Sequence, residues 1–190
     1  SLSFTTALER QQIYQATGVQ NEATALSLGV DYTYDKSNKV NGKLEYRTSD
    51  IQDQWLGTLA YTRNLSENWS ALGREAYIRS EGRGLDVIKG IQLQNQLQVG
   101  LAYRDVATGR WNGLVRLENR INRSSITADL KDEETWIFSL HGTYRMARNW
   151  TWAGQLAAKH GSQAILNDGS YNIYSGRLAS GRVIWDINDR

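Results

Sequence analysis

Between Thr135 and Arg145 every second residue is apolar: Trp136, Phe138, Leu140, Gly142 and Tyr144 form one row, and Ser139, His141, Thr143 and Arg145 form the other. Side chains alternate faces along an extended strand, so this segment presents one greasy face and one wet face. The same period of two runs from Ile91 to Arg104, where Ile91, Leu93, Leu97, Val99, Leu101 and Tyr103 oppose Gln92, Gln94, Gln96, Gln98 and Arg104, with Asn95 interrupting the apolar row. It recurs from Val40 to Thr48, where Val40, Leu44 and Tyr46 oppose Asn41, Lys43, Glu45 and Arg47. A helix needs apolar residues every three or four positions, and none of these windows has that spacing.

Extended along the chain, the pattern predicts strands at Leu2 to Tyr14, Ala23 to Tyr34, Lys39 to Thr48, Gln54 to Arg63 and Trp69 to Ser80. The second half adds Ile91 to Arg104, Arg110 to Ile121, Thr135 to Arg145, Trp150 to His160 and Tyr171 to Ile187. Each approaches or exceeds the ~9 to 11 residues that cross a bilayer at a tilt. Tight polar connections at Asp35 to Asn38, Asn64 to Asn68, Asp105 to Gly109 and Met146 to Asn149 suit hairpin turns. They alternate with longer ones at Gln15 to Glu22, Glu81 to Gly90, Asn122 to Glu134 and Gly161 to Ser170, and Ser49 to Asp53 is the short connection on that side. Outer-membrane barrels put short turns in the periplasm and long loops outside. The expectation is an all-β, antiparallel up-and-down transmembrane β-barrel of about ten strands in the bacterial outer membrane, one domain over residues 1–190, with both ends of the chain on the periplasmic side.

The aromatic residues support the same topology. Tyr32, Tyr34, Tyr61, Trp69, Tyr103, Trp111, Tyr144, Trp150, Trp152 and Trp185 lie beside the short turns, and Tyr14, Tyr46, Trp55, Tyr77, Trp136, Tyr171 and Tyr174 lie beside the other loops. Two belts of Tyr and Trp are what rings that prefer the lipid headgroups produce. Aromatic residues at strand ends are also common in β proteins of other kinds. Two segments fit less well. A face of Ser70, Leu72, Arg74, Ala76 and Ile78 turns a guanidinium to lipid, which a bulge near Gly73 or an Arg74 reaching the interface would relieve. Arg177 has the same difficulty against Val183, Trp185 and Ile187, and a bulge is expected around Ser180 to Arg182.

Composition adds two constraints: with Pro 0, no strand is barred from the middle of a sheet, and with Cys 0, disulfide and thiolate-metal chemistry are excluded. A formal net charge of +2 with 22% charged residues leaves no basic stripe of the kind nucleic acid requires. No window offers the roughly 18 consecutive apolar residues of a membrane helix. That does not count against a barrel, where only every second residue meets lipid. Ser1 leads straight into a strand-like segment, which implies that any signal peptide has been removed. Asp186 to Arg190 reads as a turn, and the expectation is that this chain is cut from a longer polypeptide. Ten strands can close a barrel alone, but such an end suggests further strands, or a neighbouring chain that supplies them.

The inner face assigned by the alternation carries Asp31, Lys43, Glu45, Arg47, Glu75, Arg79, Arg104, Arg116, Glu118, Arg120, His141, Arg145, Gln155 and Lys159. Both signs alternate along single strands, as in Lys43, Glu45, Arg47 and Arg116, Glu118, Arg120. Unpaired charge is costly in a narrow lumen, so a structural charge network is the simpler reading. A selectivity lining that favours anions is the other.

Signals for catalysis are weak. The two histidines, His141 and His160, have no serine or carboxylate at a spacing that identifies a dyad, and His141 is expected as a hydrogen-bonded lumen residue. Gly82 and Gly84 have no following helix to form a phosphate cradle. Asp129, Asp132, Glu133 and Glu134 make an acidic loop that could attract a divalent cation, although simple solvation suffices. Neither enzyme activity, nor a cofactor, nor a metal is expected.

Val99-Gly100-Leu101-Ala102-Tyr103-Arg104, its turn, and Arg110-Trp111-Asn112-Gly113-Leu114-Val115-Arg116 resemble a recurrent hairpin in a family of Gram-negative proteins. So do Asn68-Trp69-Ser70-Ala71-Leu72-Gly73-Arg74 and Trp150-Thr151-Trp152-Ala153-Gly154. The family comprises the C-terminal outer-membrane barrel regions of large, repeat-bearing surface proteins. The resemblance implies a non-enzymatic barrel that anchors or assembles a larger surface structure, with lipid and further strands or domains of the same parent protein as partners. An outer-membrane pore or transporter with a charged lumen is the alternative. A barrel hydrolase and a soluble β protein with an internally packed apolar face are the remaining readings.

Overall fold

The computed structural model describes residues 1–14, 20–83, 90–125, 132–164 and 170–185. Ten strands account for nearly all of them: β1 (Leu2–Tyr14), β2 (Gln20–Thr33), β3 (Asn38–Ser49), β4 (Gln52–Asn64), β5 (Trp69–Gly82), β6 (Ile91–Arg104), β7 (Trp111–Ser124), β8 (Glu133–Ala147), β9 (Trp150–Ala164) and β10 (Tyr171–Trp185). They form a single meander in chain order, β1 through β10, and every neighbouring pair is antiparallel. Among the described residues β1 and β10 are not paired with each other, so the sheet has two edges.

Short connections produce this order, because a hairpin is the only link that a few residues allow between strands. Asp35 accepts from the backbone N–H of Ser37 and of Asn38, both at 2.7 Å, closing the β2–β3 turn. Ser66 Oγ accepts from Trp69 N at 3.1 Å in the next. In the β6–β7 turn the N–H of Gly109 reaches the carbonyl of Asp105 at 2.8 Å. Gly109 sits there at φ 64°, a conformation that a side chain would strain.

Directly opposed residues of an antiparallel pair share a face, so the registers sort every side chain. One face carries Leu26, Leu28, Leu44, Leu59, Leu97, Val99, Leu101, Val115, Leu117, Phe138, Leu140 and Leu156, all exposed. The other carries Glu118, Thr135 and Ser139, which are 1%, 2% and 2% exposed. Among the described residues Ala25 is the only buried apolar residue. A water-soluble protein buries its leucines and exposes its glutamates; this sheet does the reverse. The polar side chains crowd together as on the concave side of a curved sheet, and the apolar ones splay outward. We call these faces inner and outer.

The registers also correct two expectations. The β4–β5 and β5–β6 pairings run unbroken past Gly73, and Arg74 lies opposite Ala60 and Gln98 on the inner face. It needs no bulge, because the outer row of β5 is the one containing Trp69, Gly73 and Tyr77. In β10, pairing with β9 runs unbroken through Ser180, Gly181 and Arg182, so the expected bulge is absent. Arg177 therefore stays on the outer face, opposite Ala158. The one register shift within the described pairings falls between Arg145 and Ala147, beside the β8–β9 turn. Strand limits otherwise match the sequence pattern closely, with β1 and β6 at the expected bounds.

The chain lacks cysteine, so single substitutions report the two faces cleanly. With the protein in lipid, cysteines placed singly at Leu97, Val99 and Leu101 will react with a bilayer-soluble maleimide, and those at Gln98 and Ala102 with a membrane-impermeant one. An absence of alternation would show that the apolar row does not meet lipid.

Candidate functional site

The inner wall is the chemically distinctive surface, and Glu118 is its centre. The register places Glu118 of β7 opposite Gln98 of β6 and Ile137 of β8. Gln96 Nε2 donates to its Oε1 at 2.7 Å and Gln98 Nε2 to its Oε2 at 3.1 Å. Arg120 Nε donates to Oε1 as well, and Arg116 Nε stands 3.9 Å from Oε2. A carboxylate this buried is tolerable only because its lone pairs are occupied and its charge is opposed.

A second, more open cluster lies on β3. Lys43 Nζ reaches Glu45 Oε2 at 2.7 Å, and Arg47 reaches Oε1 at 3.3 Å. The three alternate along one strand and therefore point the same way, as the sequence implies. A third cluster joins β8 to β10. Tyr174 donates to Glu133 and lies 2.6 Å from Thr135 Oγ1, while Lys159 Nζ sits 4.7 Å over its ring. A Cβ on Gly161 would lie 2.6 Å from that ring, so the absence of a side chain there lets Tyr174 lie flat on β9.

Eight of the residues expected in the charge network share the inner face: Lys43, Glu45, Arg47, Arg104, Arg116, Glu118, Arg120 and Arg145. Arg104 lies opposite Asn112 and Arg145 opposite Thr151, at the short-turn end. Glu75 and Arg79 do not belong to it. They stand on the outer face opposite Leu97 and Leu93, because the row they share with Trp69 and Tyr77 faces outward. Asn95 Nδ2 donates to Glu75 at 3.2 Å, and Arg79 lies 3.7 Å from Glu81; Arg79 and Glu81 are near the longer-loop end, whereas Glu75 stands mid-strand between Trp69 and Tyr77. Sequence reading missed Arg74, Gln96, Gln98, Ser139 and the Tyr174 cluster. The glutamine run in β6 was the available signal, since amides satisfy a buried carboxylate without adding charge.

The aromatic positions pair across strands on the outer face. At the short-turn end Trp69 meets Tyr103 at 5.0 Å, Trp111 stacks on Tyr144 at 4.2 Å and Trp150 on Trp185 at 5.6 Å. Tyr32 meets Tyr34 at 6.4 Å. Tyr61 and Trp152 occupy outer positions at the same end. At the other end Tyr46 meets Trp55 at 4.6 Å, and Trp136 donates its Nε1–H to Glu134 at 3.1 Å. Trp69 and Tyr77 are roughly 26 Å apart along their strand, comparable with an apolar band about 25 Å tall. Tyr174 departs from the expected belt and lies on the inner wall.

His141 is inner, opposite Gln155, whereas His160 is outer, opposite Trp136, so strand alternation separates the two histidines. Glu133 and Glu134 likewise diverge to opposite faces. Among the described residues no group of three His, Asp or Glu side chains could hold a metal ion. Asp129, Gly84 and the stretch from Asp186 lie outside the described residues.

No family model matches this chain, and no curated protein matches it. Among solved structures, the crystal structure of the ferric yersiniabactin uptake receptor FyuA from Yersinia pestis is similar over 99% of this chain, with a TM-score of 0.55 and 11% sequence identity. The chain spans 40% of that receptor's length. The likeness is one of fold: an all-β, up-and-down antiparallel sheet of the kind found within that receptor.

Removing the carboxylate of Glu118, itself 1% exposed, leaves the half-buried Gln96 and Gln98 amides and the Arg120 guanidinium without their shared acceptor. Glu118→Ala is therefore expected to lower unfolding free energy by about 2 to 3 kcal/mol, against about 1 kcal/mol or less for Glu45→Ala in its more hydrated cluster; urea titration in lipid vesicles measures both. In the β6–β7 turn, hydrogen bonds from the Thr108 hydroxyl and from its backbone N–H hold the Asp105 carboxyl below the usual range. Its stabilising effect is complete above its unfolded pKa of about 3.9, and fades as pH falls through the lowered folded value. Asp105→Asn is expected to show a shallower acid-side loss of stability than the parent chain over that window.

Proposed function

We propose that the chain is the wall of an outer-membrane β-barrel that anchors or assembles a larger structure at the cell surface. The observation that carries this reading is the inverted burial: Glu118, Thr135 and Ser139 packed away while Phe138 and Leu101 stand 45% and 44% exposed. A hydrocarbon surround makes such a face favourable. Paired Trp and Tyr rings at both ends of the outer face support a fixed depth in the bilayer.

Backbone groups in hydrocarbon must all be paired, so the outer edges of β1 and β10 need strand partners. Further strands of the same parent protein are the proposed source, making a barrel wider than ten strands. Likeness to a portion of a longer receptor chain agrees with this. The role would be mechanical, with strand pairing and aromatic depth markers holding the barrel while other domains act outside.

A pore or transporter is the second reading, favoured by cations that have no anionic partner among the described inner-face residues, Arg74, Arg104 and Arg145. The two readings separate in one preparation. Expressed with its parent protein, the chain is expected to sediment with outer membranes and resist carbonate extraction, and purified protein in planar bilayers is expected to give no steady single-channel current. Steady current would replace anchoring by transport. Extraction by carbonate as a soluble monomer would remove both.

A further inference from the structure

Arg116 and Ser139 lie directly opposite each other across β7 and β8, and each has a buried polar atom without a hydrogen-bond partner. The atoms are Arg116 Nε and Ser139 Oγ, and Ser139 is 2% exposed. Buried polar atoms are nearly always satisfied, so the orphaned Nε leaves the Arg116 guanidinium short of a partner. Ser139 lies on the β8 side and does not line the cavity that Arg116 borders. Beside Arg116, on the β5–β6 side, is an open cavity of about 250 Å³. Leu72, Gly100 and Leu114 contribute an apolar floor, and Arg74, Gln98 and Arg116 contribute its polar margin.

Gly100 shapes the floor. It lies opposite Leu72 and Arg116 in its two registers, and a Cβ there would come 2.9 Å from the Val115 carbonyl and 3.7 Å from Leu72 and Leu114 methyls. The margin is cationic on balance. Arg74 has no hydrogen bond or ion pair among the described residues, Arg116 is beyond hydrogen-bond reach of Glu118, and the one nearby carboxylate, Glu118, is already occupied by Arg120, Gln96 and Gln98.

We infer that this inner-wall cavity is a binding site for a small organic carboxylate, with Arg74 and Arg116 receiving the carboxylate and Leu72, Gly100 and Leu114 receiving its apolar body. The inference rests on the inner face being the wet face of a barrel. Guanidinium groups match a carboxylate by charge and by donor geometry. A bare inorganic anion would leave the leucine floor uncovered, and a neutral apolar molecule would leave the guanidinium donors unmet.

Benzoate is the probe, with chloride at equal ionic strength and benzyl alcohol as controls. In titrations of the parent protein containing this chain, folded and reconstituted in lipid, benzoate is expected to bind saturably and to raise the unfolding midpoint by about 2 to 4 °C, while neither control does. Arg74→Gln and Arg116→Gln are each expected to weaken benzoate binding at least about tenfold, as loss of one charge-assisted contact implies. Arg182→Gln, which removes an inner-face cation on β10 three strands away from the cavity, is expected to leave it unchanged. Circular dichroism and heat-modifiable gel mobility confirm that each variant is folded, and a variant that does not fold is replaced by Arg74→Lys or Arg116→Lys, which keeps the charge, loses the fork and is expected to weaken binding. Equal binding by the parent and a folded arginine variant, or equal effects of benzoate and benzyl alcohol, overturns the inference. If cysteine at Ala102 labels from water and cysteine at Leu101 from lipid while benzoate fails to bind, the site alone is wrong. If both cysteines label alike, the barrel reading falls first.

Discussion

On the proposed reading, in which the outer face meets lipid, backbone hydrogen bonding in a medium without water is the constraint on which the rest of the structure depends. A peptide group in hydrocarbon has no solvent partner, and a strand can satisfy its groups only through neighbours on both sides. The meander meets that requirement from β2 through β9 with one register shift, beside the β8–β9 turn. Once the backbone is neutralised in this way, the side chains are free to divide by face. The division then sets most of the rest: valine, phenylalanine and most leucines outward, and most charged and amide groups inward, with Glu75, Arg79 and Arg177 outward and Leu72 and Leu114 inward among the exceptions.

Putting charge on the inner wall creates a second problem, which the chain solves in two ways. On β3, Lys43, Glu45 and Arg47 neutralise one another along a single strand while remaining partly hydrated. At Glu118 the solution spans strands, with amides from β6 and guanidinium groups from β7 surrounding one carboxylate. The second arrangement is the more constrained, because truncating any member leaves buried donors or a buried charge unmatched. It leaves Arg74 without an anionic partner among the described residues and Arg116 Nε 3.9 Å from the carboxylate.

Much of this was legible as a period of two. β1 and β6 follow the expected limits, and the inner placement of Lys43, Glu45, Arg47 and of Arg116, Glu118, Arg120 follows from alternation within one strand. The failure at β5 has a definite physical cause. Both rows of that strand mix apolar and charged residues, Leu72 and Ile78 with Arg74 in one, Trp69 and Tyr77 with Glu75 and Arg79 in the other. Alternation alone cannot say which row faces lipid when hydrophobicity is shared; the opposed partners Leu97, Val99 and Gln98 decide it.

By itself the sequence determined the strands, their hairpin order and the existence of a greasy and a wet face, because each is a local property of residue type and spacing. Tertiary structure decided what meets across strands. It aligned Gly113, Gly142, Gly154 and Gly181 in one transverse outer row beneath the aromatic belt, sent Tyr174 inward onto Gly161, and brought Gln96 and Gln98 to Glu118. Register is a relation between segments distant in sequence, set by the pairing of whole strands, and no single segment contains it.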